Sequence, residues 1–240
     1  MKKLLLAIFL VGSSACGYTV DLDSSNLSAQ VSMVKGDTAL VEIAGLQVGE
    51  SAIFVHTTQD NNQLIVSGAT VVSASANNAV LKLNPINPIE QNAIPTTLYK
   101  PQVGDMVVVK HLYDTALIIA PNIEAKNYVK SLFPKKNFIN EDFFASYLKI
   151  QENPIPTKED ITEFCKNNQI GLVFIVANKK AYALDAISFE VLDKEYLGIQ
   201  SDEIKVPFFT RIDEIETGLF DFGADKIENY DKHYLQIIGK

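Results

Sequence analysis

Residues 102–122 read QVGDMVVVKHLYDTALIIAPN, and the hydrophobic pattern changes inside this stretch. Its first half is a turn of glycine and an acid that leads into a β-branched run, which is typical of a strand. Its second half is a short apolar run that ends in Pro121-Asn122, which is typical of a buried strand followed by a helix. We therefore predict a β-rich subdomain over residues 28–112 and an α/β subdomain over residues 113–240.

The first half of this stretch has a counterpart earlier in the chain. Residues 47–56, QVGESAIFVH, align with residues 102–111, QVGDMVVVKH. Glycine followed by an acid suits a tight turn, so the repeat predicts two equivalent strands of one barrel. The two units end in His56 and His111, which could approach each other if these strands pair. Because the three histidines are scattered, we expect neither a metal site nor another cofactor.

Further strands complete the β-rich subdomain, which we predict to be a small barrel or sandwich. They are runs rich in Val, Ile, Thr and Ala, separated by turn residues such as Lys35-Gly36-Asp37. The predicted strands span residues 29–34, 38–44, 51–57, 63–75, 79–83 and 106–111. The segment 84–101 carries four prolines and predicts an extended surface excursion.

The second subdomain alternates strands with helices, so its fold class is α+β or α/β with a mixed sheet and about three helices. Apolar spacing predicts helices after Asn122, over residues 141–150 after Asn140, and from a capping box at residues 157–160. The predicted strands span residues 115–120, 137–139, 171–177, 206–212 and 234–238. A hairpin partner of residues 171–177 runs up to Ala186 and continues over residues 187–191, with a bulge or bend near Ala186.

Asn122 and Asn140 also mark where this half would bind a small anion. Both are predicted to begin helices beyond the carboxyl ends of strands, where backbone N–H groups are available to a ligand. The alternative is that both asparagines only cap their helices.

Composition and motifs narrow the function. The formal net charge is −8, and Arg211 is the single arginine, which argues against nucleic acid as a partner. Nucleophile elbows, HExxH, P-loops and GxGxxG are absent, so we expect a protein that is not an enzyme. Acidic residues of segment 213–231 lack the ligand order of a calcium-binding loop and predict a solvated acidic face.

Residues 1–16, MKKLLLAIFLVGSSAC, have the pattern of a bacterial export leader. Two lysines precede an apolar run, and small residues lead to Cys16, as in a lipoprotein box, although Ser13 stands where such boxes usually carry leucine. We predict a signal peptide over residues 1–15, lipidation of Cys16 and a polar tether over residues 16–27. Cys165 is then expected to be a buried hydrophobic residue; a Cys16–Cys165 disulfide requires an unlipidated Cys16.

Several segments together resemble the N-terminal domain of a known bacterial family. They are VSMVKGDTALVEI, PQVGDMVVVKHLYDTALIIAPN, FINEDFFASYL, NPIPTKEDITEFCKNNQIGLVFIV and AYALDAISFEVLD, and they run from about Leu27 to Asp193. The family is the plasminogen-binding surface proteins of the PgbA type, in which binding is attributed to a lysine-bearing C-terminal region beyond this domain. We expect this sequence to lack that long lysine-rich tail. This resemblance implies an envelope protein of a Gram-negative bacterium of the epsilon class.

Two functions follow from the leader and the resemblance. In the first, a lipid-anchored outer-membrane protein binds host plasminogen, with the ammonium and carboxylate of Lys240 held by a kringle lysine site. In the second, a periplasm-facing lipoprotein is a structural or assembly part of an envelope complex, such as a flagellar accessory structure. Both predict a membrane partner through the anchor and a protein partner, and neither fixes which side of the outer membrane the domain faces.

Overall fold

The computed structural model describes residues 22, 26–84, 99–212 and 227–240. The signal peptide, Cys16, most of the predicted tether, most of the proline-rich excursion and the acidic residues 213–225 lie outside the described residues. None of the helices in the described part is long and apolar enough to cross a membrane.

Six antiparallel strands form a closed barrel in the order β1-β2-β5-β4-β3-β6. The strands are β1 (Leu27–Lys35), β2 (Thr38–Val41), β3 (Ser51–Thr57), β4 (Gln63–Ala74), β5 (Ala79–Asn84) and β6 (Met106–Val109). Alternate side chains point inward, and Val41, Phe54, Val71, Leu81 and Val107 are completely buried in the barrel interior. The predicted barrel is confirmed; closure pairs every strand on both sides.

The second half is a five-stranded mixed sheet in the order β11-β10-β9-β7-β8. Its elements are β7 (Thr115–Ile119), α1 (Ile123–Leu132), β8 (Asn137–Ile139), α2 (Glu141–Ile150), α3 (Lys158–Asn167), β9 (Leu172–Ala177), β10 (Lys180–Asp185), β11 (Val191–Tyr196) and α4 (Tyr230–Ile237). Strand β7 runs parallel to β8 and β9, whereas β9, β10 and β11 are antiparallel. The predicted mixed α/β architecture is confirmed.

Helices cover both faces of this sheet, which explains why β9 is apolar at every position. On one face Val173 and Ile175 pack with residues of α2, α3 and α4, including Phe144, Ile161 and Tyr234. On the other face Leu172, Phe174 and Val176 pack with α1 through Ala125 and Val129. All six residues of β9 are buried, as expected of a central strand with parallel pairing.

The C-terminal region differs from its prediction. Residues 206–212 form no strand, and residues 234–238 belong to α4 and the residue that follows it rather than to a strand. Tyr230 and Tyr234 lie one helical turn apart and are both buried, and the Asn229 side chain caps the helix by accepting from Lys232 N. Helical spacing therefore decides the element, and the described residues contain four α-helices instead of about three.

The predicted bend near Ala186 is confirmed as a turn, but residues 187–189 do not continue the strand. Strand β10 ends at Asp185, residues 186–189 turn the chain, and β11 then runs back antiparallel to β10. The irregularity in this pairing lies between Ala183 and Leu184, slightly before the predicted position. The Asp185 carboxylate stabilises the turn, because it accepts the backbone N–H groups of Ile187 and Ser188, both at 2.8 Å.

Candidate functional site at the junction of barrel and sheet

The two repeat units form matching turns, each followed by a barrel strand. Gly49 and Gly104 have φ values of +99° and +92°, which favour glycine. In each turn the following acid accepts the backbone N–H of the glutamine three residues earlier, at 3.1 Å for Glu50 and 2.8 Å for Asp105. The strands that follow, β3 and β6, are direct neighbours. The prediction that the repeat marks equivalent barrel strands is confirmed.

Antiparallel pairing places the acid of each turn beside the end of the other strand. His56 Nδ1 lies 2.7 Å from Asp105 Oδ1, and Lys110 Nζ lies 3.1 Å from Glu50 Oε1. The same pairing separates His56 from His111, because each histidine ends its strand at the opposite end of the pair. The expectation that these histidines could approach each other was therefore wrong.

The Glu50–Lys110 pair lies on the side of the barrel that faces the sheet. The two side chains are 0% and 3% exposed. Burial raises the pKa of the Glu50 carboxyl, and the Lys110 charge acts in the opposite direction. A buried acid of this kind depends on its partner, because an unpaired buried charge is strongly destabilising.

Asp185 of the sheet joins the two halves directly. Its Oδ2 accepts from the backbone N–H of Ser51 in β3 and from the Tyr113 hydroxyl, both at 2.8 Å. Its Oδ1 accepts the two N–H groups of the turn after β10. Asp185 is completely buried, and four donors satisfy its carboxylate. Burial and the neighbouring Asp185 raise the pKa of Tyr113, so its hydroxyl remains a donor.

Close backbone contacts complete the junction. The Ser188 hydroxyl donates to Gly49 O at 2.6 Å. A Cβ atom on Gly49 would lie 2.6 Å from Glu190 Cβ, and one on Gly171 would lie 2.4 Å from the backbone of Leu112. Only glycine permits the barrel turn and the start of β9 to approach their neighbours this closely.

A cleft opens beside this junction, between the barrel and α3. Its volume is about 500 Å³, and its lining includes Ile53 and Gly68 of the barrel, His111, Ile187 and the outer face of α3. The Nδ1 atom of His111 is buried and has no hydrogen-bond partner among the described residues. Burial lowers the pKa of His111, although the Asp185 charge opposes this change. The imidazole is therefore uncharged at neutral pH.

The structure uses both predicted asparagines as helix caps. Asn122 is buried, accepts from Ala125 N at 2.9 Å and donates to Glu203 O at 2.8 Å. Asn140 accepts from Asp142 N at 3.0 Å. The capping predictions are confirmed, as is the capping box of Thr157 and Asp160. Binding of a small anion at either asparagine stays a prediction.

Lys240 lies at the other end of the molecule, just after α4. Its backbone N–H donates to Leu235 O at 2.8 Å, and its side chain is exposed. Together with Asp231 and Lys232 it lines a surface depression of about 420 Å³. Lys240 and Asp231 therefore line the same depression, which shares no lining residue with the cleft at the junction.

The ionisable groups of the junction hold the fold together. Asp185 is saturated by donors, and Glu50 is paired with Lys110. Across the described ranges, no group of three or more His, Cys, Asp or Glu side chains is arranged to hold a metal ion. Cys165 is completely buried, as predicted, and burial raises the pKa of its thiol to about 12.

Sequence reasoning missed Asp185 because its barrel partner Ser51 lies 134 residues away. The sequence does contain a signal for the pairs Glu50–Lys110 and Asp105–His56. If β3 and β6 are antiparallel neighbours, the repeat places the acid at the start of each strand near the basic residue at the end of the other.

Comparison with known proteins extends the resemblance through α4. A family model described as "Plasminogen-binding protein pgbA N-terminal" matches residues 26–238. Two proteins of Helicobacter pylori named plasminogen-binding protein PgbA, from strains 26695 and J99, are 26% and 25% identical over 198 residues. The match covers 81% of this chain and 43% of each relative, so the chain spans less than half their length. Because the family model covers most of the chain, this protein belongs to the family of PgbA N-terminal domains.

Proposed function

We propose that this chain is an exported, lipid-anchored and non-catalytic binding module of the cell envelope, and that its protein partner is plasminogen. The observation that carries the proposal is the family match over residues 26–238, together with relatives named for plasminogen binding. The match covers 43% of each relative, so plasminogen binding by this chain is itself part of the proposal.

The buried chemistry of the junction supports a non-catalytic role. The Asp185 carboxylate accepts from Ser51 and so joins the sheet to the barrel, and Glu50 is paired with Lys110 between the start of β3 and the end of β6. Asn122 is the most buried of the predicted ligand-binding residues. Its side chain caps α1 by accepting from Ala125 N, and it donates to Glu203 O. These side chains stabilise a rigid body that presents its surface to a partner.

The depression lined by Asp231, Lys232 and Lys240, called here the α4 depression, carries the two kinds of charged group that a kringle lysine site binds. Such a site holds an ammonium group together with a carboxylate. Lys232 and Lys240 are exposed, and the Asp231 carboxylate lines the same depression while accepting from Asn178 N at 2.7 Å. We therefore assign the plasminogen contact to this face, with Lys240 as its main lysine.

Binding of plasminogen to the immobilised full chain tests the assignment. We expect saturable binding that free lysine displaces. Lys240→Ala should lose affinity by roughly 1.4- to 5-fold, since an exposed ion pair contributes roughly 0.2–1 kcal/mol. Lys35→Ala is the matched control, because Lys35 is equally exposed but lies at the β1–β2 turn of the barrel. Absence of binding would refute the partner, whereas unchanged binding in Lys240→Ala would refute only the assigned face.

The anchor is tested separately through Cys16. Lipidation would hold the chain firmly, because each buried methylene contributes about 0.8 kcal/mol and several acyl chains act together. Membrane fractionation should find the wild-type chain in the membrane fraction and the Cys16→Ala chain in the soluble fraction. Protease treatment of intact cells then reports the side: cleavage supports a surface role, and protection supports the periplasm-facing structural role.

A further inference from the structure

The cleft beside the junction has an apolar floor. Ile53, Ala69, Ala186 and Ile187 line it, and Ile187 is 46% exposed, so its apolar side chain is accessible to a ligand. The volume of about 500 Å³ is within the range of small-molecule sites, which are mostly apolar with a few placed polar groups. The floor therefore suits the hydrocarbon body of a small ligand.

The rim of the cleft carries three charges on one face of α3. Glu159, Glu163 and Lys166 follow one another at helical spacing, and all three are exposed. Residues four apart on a helix have Cβ atoms about 5–6 Å apart, so both carboxylates can contact a single ammonium group. Two carboxylates against one ammonium leave the rim negative.

The inner wall of the cleft does not oppose a cation. The His111 imidazole lines the wall and is uncharged at neutral pH because burial lowers its pKa. The charge of the buried Asp185 carboxylate acts on the imidazole in the opposite direction. The residues that line the cleft therefore present two carboxylates and one ammonium group, that of Lys166, to a cation.

We propose that the cleft between the barrel and α3 binds a small organic cation, with a hydrocarbon body on the floor formed by Ile53 and Ile187 and an ammonium group between Glu159 and Glu163. This site is independent of the α4 depression and of plasminogen binding. The negative rim favours a positively charged ligand. The apolar floor favours a ligand that also has a hydrocarbon surface.

Titration with hexylammonium, using hexanoate and hexanol as matched probes, tests the site. Nuclear magnetic resonance of the imidazole nitrogens reports binding, since His111 lines the cleft whereas His56 and His233 lie elsewhere and serve as internal references. We expect hexylammonium to shift the His111 signals saturably and leave the other two unchanged. Hexanoate should bind at least about tenfold more weakly, because its carboxylate meets the acidic rim.

Two variants separate charge from shape. Glu159→Gln with Glu163→Gln should weaken hexylammonium binding by about threefold or more. Thr162→Phe should abolish it by filling the cleft; the Thr162 hydroxyl donates only to Glu159 O within the helix, so the fold does not depend on it. Lys166→Gln is the charge control and should bind at least as tightly as the wild type. Equal binding of hexanoate and hexylammonium, or unshifted His111 signals at saturating probe, would overturn the proposal.

Discussion

Lys110 Nζ lies 3.1 Å from Glu50 Oε1 at the junction of the barrel and the sheet, and neither side chain is more than 3% exposed. Each residue belongs to one unit of the internal repeat, so the pair joins the end of β6 to the start of β3. Water screens a buried pair of this kind very little, and each charge depends on the other for compensation.

Lys110→Met should therefore destabilise the protein strongly. It leaves the Glu50 carboxylate buried without its cation, which typically costs about 3–5 kcal/mol. Urea unfolding measures the change in the free energy of unfolding. Lys179→Met is the matched control, because Lys179 pairs with Asp202 at 2.9 Å but both side chains are well exposed, and we expect little measurable change there. Equal stability of the two variants would contradict a structural role for the buried pair.

The two repeat glycines should respond differently to alanine. Gly104→Ala meets open space, so its cost is backbone strain of about 1–2 kcal/mol at positive φ. Gly49→Ala has the same strain and in addition brings a Cβ atom to 2.6 Å from Glu190 Cβ. Overpacking adds about 1–3 kcal/mol, so Gly49→Ala should be the less stable variant in urea or thermal unfolding. The reverse order would show that the barrel turn does not contact Glu190 in solution.

Stability should decrease below neutral pH in a way that depends on His111. Burial lowers the pKa of His111 from the ordinary value of 6.5, so between the two pKa values the unfolded chain binds more protons than the folded one. The contribution of the uncharged His111 to the free energy of unfolding is complete above pH 6.5, and it is lost as the pH falls through the pKa of His111 in the folded protein. His111→Gln should therefore show a smaller loss of unfolding free energy between about pH 7.5 and about pH 5.5.

Other groups near His111 do not obscure this comparison. The raised pKa of Glu50 acts in the opposite direction, lowering stability as the pH rises above 4.5, but Glu50 is present in both proteins. His233 also has a pKa lowered by burial, with its bond to Pro156 O acting against it, so the double variant with His233→Gln should be flatter still. Identical pH profiles for the wild type and His111→Gln would contradict the buried, uncharged state of this imidazole.

Cys165 should be unreactive in the folded protein. It is completely buried, and its pKa of about 12 leaves almost no thiolate at neutral pH. In Cys16→Ala, Cys165 is the remaining cysteine of the two in the sequence, so a chromogenic disulfide reagent reports it alone. We expect no reaction without denaturant and one thiol per chain in urea. Rapid reaction of the native protein would contradict the packing of α3 against the sheet.

Most of the fold was predictable because local pattern and tertiary packing agree in most elements. The alternation of residues 51–57 and the apolar spacing after Asn122 each point to one structure, and β3 and α1 follow them. Segment 234–238 has an apolar spacing that suits either a short strand or a helix, and the contact with β9 selects the helix. Such a contact is not visible in a short window of sequence.

The candidate site was less predictable than the fold. The junction depends on Asp185, Ser51 and Tyr113, which come from three distant parts of the chain. The cleft adds side chains of α3 that look like an ordinary solvated helix face in the sequence. Periodicity identifies which face of an element is buried, but it does not identify which buried faces meet.

The crossed pairing of the two repeat units has a consequence for how the family diverges. Each turn acid is partnered by the base of the other unit, Glu50 by Lys110 and Asp105 by His56. A change of charge at one of these positions removes the partner of a residue in the other repeat unit, not of a residue in its own unit. Across homologues, position 50 should therefore covary with position 110, and position 105 with position 56. The two acids that align in the repeat, 50 and 105, should vary independently of each other. An alignment in which each unit varies as a block would contradict this expectation.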